Sequence, residues 1–176
     1  MKLLRTIRLD ASDTFIFPAA AEPGDWAVSG SFAFDGAPAN LTGKALAAFR
    51  GGFLGIPSLG WSTLAQVVEV DAEDREAAIE LLARCLVERY GAPDLDTARI
   101  AATEEIDFAA SLCAHPANTL IAVRRTAEED AVREAFRTLR PRADNRPWQV
   151  FSFLEARDDG LVDEVDLTGL ARGEDR

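Results

Sequence analysis

The chain has 176 residues, enough for one domain that buries about 70% of its unfolded surface without a disulfide or metal staple. Thirty acidic against nineteen basic residues give a formal charge of -11, which repels phosphate backbones and anionic lipid and argues against nucleic acid or membrane partners. Two cysteines make no disulfide framework, and no apolar run approaches the length of about 18 residues that marks a membrane span. The basic start, Met1 to Asp10, lacks the apolar stretch of a signal sequence, so a cytoplasmic protein with reduced core thiols at Cys85 and Cys113 is expected.

In chain order, residues 2–9 and the β-rich Thr14-Phe-Ile-Phe17 predict two short strands in a hairpin or meander, closed by Pro18 and Pro23-Gly24. Trp26 to Phe34 reads as the clearest strand, with Trp26, Val28, Phe32 and Phe34 on one face and Ser29 and Ser31 on the other. Gly30 falls on the packed face, where a bulge or a close neighbour is expected. Leu41, Ala45, Leu46 and Phe49 predict a helix over 41–50, and Leu64 to Val70 a strand.

Asp71 caps a helix whose Ile79, Leu82, Leu86 and Tyr90 recur at helical spacing until Gly91 and Pro93 end it. A second long helix runs from Leu95 to Cys113, entered through Asp94 or Asp96. Leu120 to Val123 reads as a strand. Thr126-Ala-Glu-Glu129 has the pattern of a capping box and predicts a helix through Val132, Ala135, Phe136 and Leu139. Trp148 to Leu154 predicts a last strand. These elements amount to an α+β fold, a mixed, largely antiparallel sheet with about four helices packed mainly on one face. The order from residue 64 to 154 permits a βαβ unit. The domain is expected to span 1–155, followed by an acidic tail over 156–176.

The segment from Phe49 to Trp61 draws the most interest. Glycines and a proline break a run of large apolar residues, and Phe53, Leu54, Ile56, Leu59 and Trp61 need cover from the core, a ligand or a partner. Arg133, Arg137 and Arg140 would line one face of the predicted last helix, and Arg142 and Arg146 carry the basic character to Trp148. Guanidinium groups there can clamp a carboxylate or phosphate, so Arg140, Arg142, Arg146 and Trp148 join the candidate binding residues. Residues 119–147 nevertheless hold only seven arginines against five acidic side chains. With Lys2 and Lys44 as the two lysines, the arginine surplus reads as coding bias.

Catalytic signals are sparse. His115 is the lone histidine and sits at a helix end, where contact with the last carbonyls accounts for it. Glu105 shares a stripe with Ala101, Phe108 and Leu112, a place that can bury a carboxylate and raise its pKa. No GxGxxG, P-loop, nucleophile elbow or zinc spacing is present. No cofactor or metal is expected. The tail interleaves Leu161, Val162, Val165, Leu167 and Leu170 with Asp163, Glu164 and Asp166, a pattern able to dock on a partner.

Three stretches, Lys2 to Asp10, Gly52-Phe-Leu-Gly55 with Ser58 to Leu64, and Arg133 to Arg142, resemble an uncharacterised bacterial protein family known as a domain of unknown function. The resemblance covers residues 1 to about 155 and implies a bacterial cytoplasmic protein, without an activity or site to carry over. The expected function is a non-catalytic accessory protein with a protein partner or a second copy of itself. Its alternative is an enzyme or binder for a small acidic metabolite.

Overall fold

The computed structural model describes residues 1–34, 40–128, 132–141 and 154–157. β1 (Lys2–Ile7) is followed by a single helical turn, α1 (Ser12–Ile16), a two-residue strand β2 (Ala27–Val28) and a 3-10 turn over Ser31–Phe34. Next come α2 (Gly43–Gly51), β3 (Phe53–Gly55), β4 (Trp61–Ser62), β5 (Leu64–Glu69), α3 (Ala72–Tyr90) and α4 (Leu95–Ser111). The chain then forms β6 (Leu120–Ala127), β7 (Val132–Pro141) and β8 (Leu154–Arg157). The fold is α+β, with a five-stranded sheet ordered β1-β5-β6-β7-β8 and a three-stranded sheet ordered β2-β3-β4. All neighbouring strands in both are antiparallel.

Directly opposed residues share a face of an antiparallel pair. The register therefore places Ala65, Val67, Ile121, Val123 and Arg125 on one side, with Glu134, Phe136 and Thr138. The first five are buried, and α2 packs on β6 from this side while Phe108 of α4 meets Phe136 edge to face. Ile79, Leu82 and Leu86 of α3 and Ala98, Ala102, Ile106 and Ala109 of α4 complete the core. The two long helices begin and end where their sequences dictate. Asp71 accepts from the Asp74 amide and Asp94 from the Thr97 amide, and Gly91 ends α3 in the left-handed region. Arg75–Asp107 and Arg99–Glu80 join the helices at 2.6 and 2.5 Å, surface pairs that solvent and salt screen and that add little to stability.

Four predicted elements are corrected. Thr14–Phe17 is not a strand: Ser12 N donates to Asp10 Oδ1 and Thr14 N to the Ala11 carbonyl, which curls the segment into α1. β1 instead pairs with β5 and bridges Trp26 through Arg5, leaving no hairpin with residues 14–17. The strand from Trp26 stops at Val28, because Gly30 turns left-handed (φ 76°) and its carbonyl accepts from Ala33 to open the 3-10 turn. The close neighbour expected there is present, for a Cβ on Gly30 would lie 2.6 Å from Leu54 Cβ.

The helix expected through Val132 and Leu139 is β7, paired along eight residues with β6. Tertiary pairing overrides the helical spacing, since Glu134, Phe136 and Thr138 face the core while Arg133, Ala135 and Arg137 alternate outward. The βαβ reading also gives way. Two helices, not one, separate β5 from β6, and the strands run antiparallel. Four helices are present among the described residues, with α1 in place of the one at 126–139. Of the last predicted strand only Leu154 lies among the described residues, and β8 continues to Arg157, into the segment assigned to the tail. The rest of the tail lies outside the described residues.

Candidate functional site

The glycine segment is a small hairpin, β3 and β4, buried against the larger sheet. Gly55 N donates to the Gly60 carbonyl at 2.9 Å, and Leu59 at the tip holds a left-handed backbone (φ 52°). Ser58 fastens the tip: its hydroxyl donates to Asp25 Oδ2 at 2.5 Å and accepts from the Glu22 and Gly60 amides. The glycines permit close approach. A Cβ on Gly60 would meet the Ala20 carbonyl carbon at 2.4 Å, and one on Gly52 would meet the Trp61 ring at 2.9 Å. Phe53, Leu54 and Ile56 are fully buried and Trp61 nearly so, stacked at a tilt on Phe34 at 4.7 Å. Leu59 is half-buried. The apolar run thus covers itself with core contacts.

Beneath the hairpin lies a feature absent from the sequence reading. Arg125 of β6 is wholly buried and acts as a node for three segments: the loop at Ser29, the end of α2 and β7. Its Nη1 donates to the carbonyls of Phe49 (3.0 Å) and Gly52 (2.8 Å) at the end of α2. Nη2 donates to the Ser29 carbonyl and to Ser29 Oγ. Nε donates to Glu134 Oε1 at 2.6 Å, directly across the β6–β7 pair, and Ser29 Oγ donates to the same oxygen. Guanidinium suits this task because its rigid fork satisfies several acceptors at once. Burial pulls the Arg125 pKa down, opposed by Glu134 and then Glu105. A buried arginine inside a strand otherwise rich in apolar residues is the one sequence signal that could have marked it.

Glu105 of α4 borders this node. Burial first, then the nearby Glu134 and Glu104, push its pKa up, while Arg125 opposes them, and its Oε2 is buried without a hydrogen-bond partner. Ala101 and Phe108, expected to share its stripe, are exposed, and the buried stripe of α4 is Ala98, Ala102, Ile106 and Ala109, so Glu105 lies at that stripe's edge. Cys113 is buried, its Sγ donates to the Ala109 carbonyl, and burial raises its pKa to about 11. Cys85 is free and also shifted upward by burial. Such thiols are poor nucleophiles at neutral pH. The His115 carbonyl accepts from Lys2 Nζ at 2.6 Å. Among the described residues no group of His, Cys, Asp and Glu is arranged to hold a metal ion. Arg142, Arg146 and Trp148 lie outside the described residues, and Arg140 is placed by its backbone alone, in β7.

Exposed apolar surface is found at α1. Asp13 is buried and accepts from Thr63 Oγ1 (2.5 Å) and Thr63 N (3.2 Å), and Phe17 is anchored in the core. Between these anchors Phe15 is 73% exposed and Ile16 43%, with Leu9 also exposed just before the turn.

An antiparallel α+β domain built around a buried arginine node, with an apolar helical turn on its surface, is the class of protein these observations define. A model for a family of unknown function, DUF6505, matches residues 1–155, and the chain belongs to that family, in line with the resemblance in its sequence. No curated protein and no solved structure matches it significantly. No helix among the described residues is long and apolar enough to cross a membrane.

Proposed function

We propose that this is a non-catalytic accessory protein of the bacterial cytoplasm, and that it binds a protein partner through α1. The observation that carries this reading is the exposure of Phe15 on a turn pinned at both ends. An aromatic ring on a loose loop can collapse onto its own surface, whereas one held by Asp13–Thr63 and Phe17 stays presented to solvent. Leu9 and Ile16 enlarge the apolar area, and rigid presentation lowers the ordering cost of binding. Free cysteines at 85 and 113 accord with a reducing compartment.

The test is quantitative mass spectrometry of what co-purifies with the tagged full-length protein from its own cells, compared with Phe15→Ser/Ile16→Ser and an untagged control. A stoichiometric partner lost on the double substitution, with unchanged thermal melting, is the expected result. Recovery of the protein alone, or of a partner indifferent to both substitutions, would overturn the assignment.

A further inference from the structure

α4 meets β7 at Phe108, which packs edge to face on Phe136 at 5.7 Å. Glu105 lies one helical turn before Phe108, and Glu134 two residues before Phe136 on the same face of β7. The contact that has two rings at one level therefore has two carboxylates at the next. The cation beside them serves only one of the two. A guanidinium has five N–H donors, and Arg125 commits them all: to Glu134 Oε1, to the carbonyls of Phe49 and Gly52, and to the carbonyl and hydroxyl of Ser29. Glu105 receives none of them, and its Oε2 is buried without a partner.

Charged groups on the other elements packed on α4 are turned elsewhere. On α3, Arg75 and Glu80 pair with Asp107 and Arg99, which stand about 200° and about 240° round the helix from Glu105. On β1, Lys2 reaches the His115 carbonyl and Arg5 lies over the Trp26 ring. Glu104, exposed beside Glu105 on α4, adds further negative charge.

We propose that the α4–β7 contact is a proton-gated latch, closed while Glu105 carries a proton and released when it ionises beside Glu134. A neutral carboxyl stays in the contact at the cost of one unmade hydrogen bond, whereas a carboxylate there is desolvated, unpaired and opposed by a like charge. Ionisation favours a state in which Glu105 turns out into water and Phe108 leaves Phe136. Burial first, then Glu134, hold the closed-state pKa of Glu105 above its value in water, with Arg125 opposing. Opening is thus least populated below the open-state value of about 4.3, grows by up to about tenfold per pH unit above it, and levels off once pH passes the closed-state value. Release bares Phe136 and, behind it, Phe53, whose ring lies 6.2 Å away, so the latch sets how much aromatic surface this side of the domain shows.

The experiment is fluorine NMR on the full-length protein with p-trifluoromethylphenylalanine in place of Phe108, which is 38% exposed and so has room for the label. From about pH 4 to about pH 8 the wild-type signal should move toward its solvent-exposed position, while Glu105→Gln should hold it at the closed position throughout. Glu104→Gln removes charge from the exposed neighbour and should leave the transition in place. The same label at Tyr90, whose ring packs edge to face on Phe32, reports on α3 and should not move. A Phe108 signal that ignores pH in wild type, that titrates equally in Glu105→Gln, or that Glu104→Gln flattens just as well would overturn the latch. So would a Tyr90 signal moving in step with it, because the whole domain would then be loosening. None of these outcomes bears on α1 and its partner.

Discussion

The α3–α4 pair and the Arg125 node hold the same domain together by opposite means. Each helix carries its own start signal in Asp71 or Asp94 and buries a stripe at local spacing, so most of its structure is settled within a few residues. The node joins the loop at Ser29, the end of α2 and the β6–β7 pair, whose members lie 73 to 96 residues from Arg125 except for Glu134. Removing a local cap from a helix weakens one end. Removing the arginine leaves a carboxylate, three carbonyls and a hydroxyl short of a donor in the interior.

The largest expected effect is therefore Arg125→Met, a loss of roughly 3–5 kcal/mol by urea denaturation, the range for breaking a buried ion pair from one side. Arg125→Lys should recover little, because an ammonium group cannot span acceptors on three segments. Hydrogen exchange on the methionine variant should accelerate around Ser29, Phe49 and Gly52 well before α3 and α4 respond. Equal acceleration everywhere would erase the contrast between the two regions.

Gly60→Ala comes next. Its Cβ would sit 2.4 Å from Ala20 backbone, and forcing the hairpin away should cost about 1–3 kcal/mol in thermal unfolding. Gly24→Ala is the control, for Gly24 has positive φ (88°) and no atom within 4 Å of the added carbon, leaving backbone strain of about 1 kcal/mol alone. On the helical side, Asp71→Ala should cost about 1 kcal/mol, with exchange quickened only in the first turn of α3.

The smallest effect carries the opposite sign. Glu105 has its folded pKa raised, so the folded state holds this proton more tightly than the unfolded chain does. Its contribution is fully present below the unfolded carboxylate pKa of about 4.3 and is lost as pH rises through the folded value. Glu105→Gln should thus melt at a higher temperature than wild type at neutral pH, and the gap should narrow on acidification. A gap independent of pH would show that the carboxyl is already satisfied.

How much was legible in the sequence follows the same division. α3, α4, α2, β1 and β5 were readable because caps and periodicity are local. Residues 14–17 and 132–141 were misread because both patterns fit more than one element until a neighbour chose. Val-Arg-Glu-Ala-Phe-Arg-Thr carries a period of two as well as a helical spacing, and only β6 alongside decides between them. Glu105 was legible only in part, since the sequence placed it on the apolar stripe of α4 and the structure places it at that stripe's edge. Arg125 was not, since coding bias made any single arginine unremarkable and its partners lie far off in sequence. Phe15 was hidden by the same β-rich run that made residues 14–17 look like a strand.

Synthesis from the N-terminus gives the Arg125 node a further consequence. At about 5–20 residues per second, some 5–20 s pass between the appearance of Ser29 and that of Arg125, 96 residues later. For that interval the Ser29 carbonyl, the end of α2 and the apolar hairpin at 53–61 exist without the group that ties them together. On the ribosome, the segments around Ser29, Phe49 and Gly52 are clients awaiting a shared ligand, and that ligand is a side chain translated 96 residues after Ser29.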